Sequence, residues 1–106
     1  MKPARLRPAA ERDLVEIARW YADQGGTALA ERFFDEARAA LHAVERTPGI
    51  GSLRLGELAG VPGLRSWALQ NFPVRWFYLE RPEFVDVVRL LGERQDIAAI
   101  LQPRPR

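Results

Sequence analysis

Between Leu64 and Leu91 the chain has three apolar runs whose connections are too short for anything but hairpins, and nothing else constrains the fold as tightly. The runs are Leu64 to Gln70, Val74 to Glu80 and Phe84 to Leu91, separated by Asn71-Phe72-Pro73 and Arg81-Pro82-Glu83. A parallel crossover needs about a dozen residues or more, so runs joined this closely pair antiparallel. In the third run Val85, Val87, Val88, Leu90 and Leu91 occupy both parities. That is the pattern of a central strand covered on at least one face.

The first half carries a different period. After a short extended segment, Arg5-Leu6-Arg7, Pro8 suits the first turn of a helix, and Ala10, Leu14, Ile17, Ala18 and Tyr21 recur at helical spacing. Gly25-Gly26 stops this helix, and Thr27 is suited to N-cap a second one. The second stripe is Ala30, Phe33, Phe34, Ala37, Leu41 and Val44, closed by Thr47-Pro48-Gly49. Two helices joined so briefly are predicted to fold back as an antiparallel hairpin. The Gly-rich loop from Ile50 to Pro62 has room for a short strand near Leu53 to Leu55, and Asp96 to Leu101 reads as a short helical turn. The expected order is β-α-α-β-β-β. This is an α+β fold in which an N-terminal helical hairpin packs on one face of a small, mainly antiparallel sheet. Residues 1–101 read as a single domain and residues 102–106 as a flexible C-terminal tail.

Charge excludes a general nucleic-acid coat. There are 16 basic and 14 acidic residues, a formal excess of only +2, where a coat would need a larger or more clustered surplus. Cysteine is absent, which removes disulfides, thiolate catalysis and zinc–cysteine sites together. One His and scattered carboxylates give no metal set, and no cofactor is implied. No stretch approaches the ~20 apolar residues of a membrane span, and no signal peptide is visible, so a cytoplasmic location is expected.

The strands carry Arg65, Arg75 and Arg89, and Arg94 follows them, with no His, Lys or Ser/His/Asp set beside them. Arginine recognises phosphate and carboxylate but stays protonated, so the stretch reads as a binding surface and not as a reaction centre. Arg89 shares parity with Val85 and Val87. It is either ion-paired with a helix carboxylate such as Asp13 or Glu16, or it opens into a groove that meets an acidic or phosphate-bearing partner. Arg65 begins its strand and is equally open between a solvated and a functional role. His42 lies off the helical stripe and reads as a solvated residue. Trp67, Trp76 and Tyr78 read as packing residues, whereas Trp20 lies beside the stripe and reads as a partner-facing aromatic.

Several segments then fall into a known order: Leu6, Ala10, Asp13, Leu14, Ile17 and Tyr21; Ala30 to Phe34; Pro48-x-x-Gly51; Gly63-Leu64-Arg65; Phe72-Pro73-Val74 with Phe77-Tyr78; and Val85-x-Val87-Val88-Arg89-Leu90-Leu91 with Arg94 and Asp96. Together they resemble the ParE/RelE toxin superfamily of bacterial type II toxin–antitoxin systems over nearly the whole chain. The long hairpin and the Pro48-x-x-Gly51 loop look more like the ParE branch.

That resemblance implies a toxin that inhibits DNA gyrase and is neutralised by a ParD-like antitoxin within a toxin–antitoxin hetero-oligomer. Arg65, Arg89 and Arg94 would be its target-binding residues and Trp20 its antitoxin contact. The RelE branch instead cuts mRNA on the ribosome, using arginines together with a late His or Tyr. Where a His is common after the last strand, this chain has Gly92, and no Tyr follows Tyr78. Endoribonuclease activity is therefore the alternative, and an inactive homologue that only binds antitoxin is a further one.

Overall fold

The computed structural model describes residues 1–102; positions 103–106, where most of the expected flexible tail falls, lie outside the described residues. After β1 (Ala4–Leu6), Pro8 opens α1 (Pro8–Arg46) where its missing N–H removes no helical hydrogen bond. A straight helix of 39 residues would span about 58 Å, yet the longest dimension of the molecule is 38 Å. The helix is broken at Gly26, whose φ of 83° and ψ of −177° are open only to glycine. Tyr21 and Phe33, about 18 Å apart along a straight helix, have ring centroids 5.2 Å apart.

The far end of α1 returns to its beginning. The Lys2 amide donates to the Glu45 carbonyl (3.2 Å) and the Ala4 amide to Glu45 Oε2 (2.7 Å). The predicted hairpin is present, with its break confined to one residue.

Strands β2 (Arg65–Ala68), β3 (Val74–Glu80) and β4 (Val85–Gly92) form with β1 a four-stranded sheet in the order β1-β4-β3-β2. The two hairpin-joined pairs are antiparallel, as their short turns require, and β1 lies parallel to β4. The helical hairpin and α2 (Arg54–Leu58) carry the chain from β1 to β2 at the opposite edge, and the two strand turns then bring it back to β4 beside β1. On the hairpin side, Val74, Trp76, Tyr78, Val85, Val87 and Leu90 meet Ala10, Ala18, Phe33, Ala37, Ala40 and Val44. Trp76 is fully buried and its indole N–H donates to the Ala37 carbonyl at 3.0 Å.

The opposite face is also covered, which the expected layering did not include. Leu64, Phe77 and Leu91 pack there with residues of α2 (Arg54–Leu58) and α3 (Ile97–Leu101). The short strand expected near Leu53 to Leu55 is α2 instead. A helical turn puts Leu55 and the buried Ala59 on one side, at the i, i+4 spacing needed to cover Leu64. Only Ser52 joins the sheet, through paired 2.9 Å bonds with Ser66.

Asp86, between two core valines of β4, ties the start of α1 to the β3–β4 turn. Its carboxylate accepts from Arg7 Nε (2.9 Å) and Nη2 (2.8 Å) and from Arg81 Nε (3.2 Å) and Nη2 (3.0 Å). The Arg7 hydrogen bonds, helped by Arg81 and opposed by burial, hold the Asp86 carboxyl below its usual value of 3.8. A group depressed on folding contributes stability above its unfolded value and loses it as pH falls through the folded one. Wild-type stability in denaturant titrations should therefore fall more steeply between about pH 5 and pH 2 than that of Asp86→Asn.

Between α1 and α2, a 3₁₀ turn (Pro48–Ile50) is pinned by Tyr78. The buried phenol donates to the Pro48 carbonyl at 2.7 Å and accepts from the Gly51 amide at 2.9 Å. A methyl group on Gly51 would sit 2.5 Å from Tyr78 Oη and 2.9 Å from the Ser66 carbonyl, which explains the Pro48-x-x-Gly51 spacing. Gly51→Ala should cost about 1–3 kcal/mol of stability in thermal melts. Gly49→Ala, which meets nothing within 4 Å, should stay within about 0.5 kcal/mol of wild type.

Candidate functional site

β4 does not keep one parity along its length. Tyr78 pairs with Val87 but Phe77 pairs with Arg89, so Val88 is an extra residue in a β-bulge. Past the bulge, Leu90 and not Arg89 continues the hairpin-facing row of Val85 and Val87. The single parity expected from Val85 to Arg89 fails at Val88, because one inserted residue exchanges the faces of everything after it.

The edge of β4 explains where Arg89 goes. Beyond Leu6 the chain has left the sheet and entered α1, so this part of β4 has no strand on that side. Asp13 of α1 takes the strand's place: its Oδ2 accepts the Leu90 amide at 3.0 Å. The same carboxylate receives Arg89 Nε at 2.6 Å and Nη2 at 2.9 Å, a bidentate pair. Asp13 is 9% exposed, and its hydrogen bonds raise the Arg89 pKa further against the opposing effect of burial. Of the two roles left open for Arg89, the structure gives it the ion pair with Asp13.

Arg65 is also engaged. It lies on β2, two strands away from Arg89, and its Nη1 donates to the carbonyls of Gly51 (2.9 Å) and Gly49 (3.4 Å). Together with Tyr78 it fixes the 3₁₀ turn. Arg75 donates to Ser66 Oγ at 3.1 Å and lies 3.8 Å from Glu93. Arg94, in the turn after β4, is exposed and has no hydrogen-bond or ion-pair partner among the described residues.

Trp20 and Arg94, singled out for different roles, are brought to one place. They border an open groove of about 410 Å³ between the first limb of α1 and the turn that follows β4. Ile17 and Tyr21 line it from the helix, Pro73 from the β2–β3 turn and Gly92 from the end of β4. Trp20 is 56% exposed and stands edge-on to Tyr21 at 5.0 Å. Burial raises the Tyr21 phenol pKa, and its ring packs against Phe33 and Phe72 with centroids 5.2 and 4.9 Å away. Reading the sequence did not find this groove, because it is assembled from α1, the β2–β3 turn and the end of β4. The available signal was Gly92, a residue without a side chain at the end of an otherwise bulky strand.

His42 is exposed on the second limb of α1, apart from these arginines. Among the described residues no three His, Asp or Glu side chains gather as a metal site would require. No helix among them is long and apolar enough to cross a membrane.

A helical hairpin packed on one face of a mixed four-stranded sheet in the order β1-β4-β3-β2 defines a small α+β fold. The chain belongs to the ParE toxin family of the type II toxin–antitoxin system parDE, whose family model matches residues 4–97. A solved structure titled as the chromosomal ParDE toxin–antitoxin system from P. aeruginosa aligns with a TM-score of 0.74 at 18% identity. The alignment covers 87% of this chain and 96% of that one. At that identity the likeness establishes the shared fold. No curated protein matches the sequence significantly.

Removing the Asp13 carboxylate would strand both Arg89 and the Leu90 amide. Asp13→Ala should lower the unfolding free energy by about 3 kcal/mol, measured by urea titration. Arg89→Ala should add little to it in the double variant, because both changes break one network.

Proposed function

We propose that this member of the ParE family inhibits DNA gyrase through direct contact and is neutralised by a ParD-like antitoxin. The observation that carries the proposal is the state of the strand arginines. Arg89 is held by Asp13 and Arg65 by two backbone carbonyls, so neither guanidinium is free to grip a scissile phosphate without giving up a structural bond. Among the described residues neither guanidinium has a His among its hydrogen-bond partners, and positioned acid–base help contributes about 10²–10⁴ in rate to enzymes that use it. Such a surface favours binding over cutting. Arg94 is the leading target contact, with Arg89 and Arg65 as further target contacts on the strands.

The test is purified protein against gyrase. Supercoiling should fall and cleaved-DNA complexes should accumulate, and Arg94→Glu should raise the inhibitory concentration about 10- to 100-fold without a change in melting temperature. Unchanged supercoiling and cleavage at concentrations that arrest growth on expression would overturn the proposal. New mRNA cuts in a translating extract would then favour the ribosome as target, and unimpaired growth would mark an inactive homologue.

A further inference from the structure

Leu90 and Gly92 carry alternate amides of β4 that no strand receives, and a side chain meets each of them. Asp13 takes the first at 3.0 Å. Gln95 takes the second, its Oε1 accepting the Gly92 N–H at 2.7 Å. The two acceptors differ in origin: Asp13 reaches across from α1, whereas Gln95 belongs to the turn that starts at Gly92, so its bond closes that turn on itself. Gln95 is exposed and gives up rotamer freedom to make the bond. Gly92 is only half-buried, where water could satisfy its amide equally well. What the glutamine adds is the shape of the turn.

That shape is fixed from several sides. The Gln95 amide donates back to the Gly92 carbonyl at 3.1 Å, which makes Glu93 and Arg94 the two central residues of a β-turn. The Glu93 amide donates to the Pro73 carbonyl at 2.9 Å and ties the turn to the β2–β3 connection. On the other side Asp96 Oδ1 accepts the Ala99 amide at 3.1 Å and starts α3, whose Ile97 and Ile100 pack with Phe77 and Leu91. Both acidic residues of this stretch are thereby engaged away from Arg94, since Glu93 Oε1 lies 3.8 Å from Arg75 Nη1 and Asp96 caps its helix. Arg94 stands exposed at the tip, without a partner among the described residues.

We infer that Gln95 is the positioning residue for Arg94: by closing the turn through the Gly92 amide, it presents the guanidinium to the target on an already ordered backbone. The inference rests on the gyrase reading of Arg94 and adds to it the side chain through which that contact is pre-formed. A segment ordered before binding does not lose its ordering cost from the affinity. Removing the Gln95 oxygen therefore weakens inhibition without removing any charge from the surface.

The experiment uses the full chain in gyrase supercoiling assays, with amide exchange of the free protein followed by NMR. Gln95→Met keeps the length of the side chain but not its oxygen, and should raise the inhibitory concentration about 3- to 10-fold. Gln95→Glu keeps an acceptor at the same reach and should stay within about threefold of wild type. In an Arg94→Ala background Gln95→Met should add less than about twofold, because it acts through Arg94. The Gly92 amide should be protected in wild type and Gln95→Glu and lose protection in Gln95→Met. The wild-type exchange rate decides the matter even should Gln95→Met not fold. A Gly92 amide that exchanges freely in the wild type, wild-type inhibition by Gln95→Met, or a Gln95→Met loss that persists in full without Arg94 each overturns the positioning role and leaves the gyrase reading standing. A wild-type chain that does not inhibit gyrase overturns that reading, and the inference with it.

Discussion

The Asp13 carboxylate holds the two layers of the molecule together at the point where the sheet runs out of partners. β1 is only Ala4–Leu6, because the chain must leave the sheet to begin α1, and β4 continues well past it. An exposed amide row at that edge would be an unsatisfied cost if covered by a bare helix. One buried carboxylate takes a backbone amide and a guanidinium at once, so the helix covers the edge and is fixed to it. The position of Ile17, Trp20 and Tyr21, one and two turns further along the same helix, follows from that anchor.

The arginines differ in kind although the sequence presents them as a set. Arg65 ties down a turn, Arg89 completes an ion pair, Arg7 and Arg81 clamp Asp86, and Arg94 has no partner among the described residues. A guanidinium with five donors in a rigid fork is as useful for holding carbonyls and carboxylates inside a small protein as for gripping a partner. In a domain this size, with no cysteine to cross-link it, that internal use carries much of the specificity of the fold.

How much of this was legible in the sequence varies with the range of the interaction involved. Val74 to Glu80 is the strand expected from an apolar run between short turns, and Gly26 breaks the helix where the glycine pair stands, because those signals are local. Tyr78 was read as a core residue with a satisfied hydroxyl, and it is one. The bulge at Val88 was not legible, since an inserted residue in a run of valines leaves the pattern apolar throughout. Leu53 to Leu55 misled because a short apolar spacing suits a strand and a single helical turn equally well; only the demand of Leu64 for cover decides. Asp13 was named among two possible partners for Arg89. Its bond to the Leu90 amide depends on where β1 stops, which no local pattern states. The groove beside Trp20 lies at the same remove, since Ile17, Pro73 and Gly92 meet only in the finished fold.

The parallel pairing of the first strand with the last sets the order in which this molecule can be made. Ala4 sits opposite Val85, so on a ribosome the first strand must wait until β4 has emerged before it has anything to pair with. The helical hairpin can form early, from contacts close in sequence, but its apolar stripe has no sheet to rest on until β3 and β4 emerge. Arg94, just past the end of β4, comes later still. Until it emerges, the nascent chain has a scaffold but lacks the surface proposed to do harm.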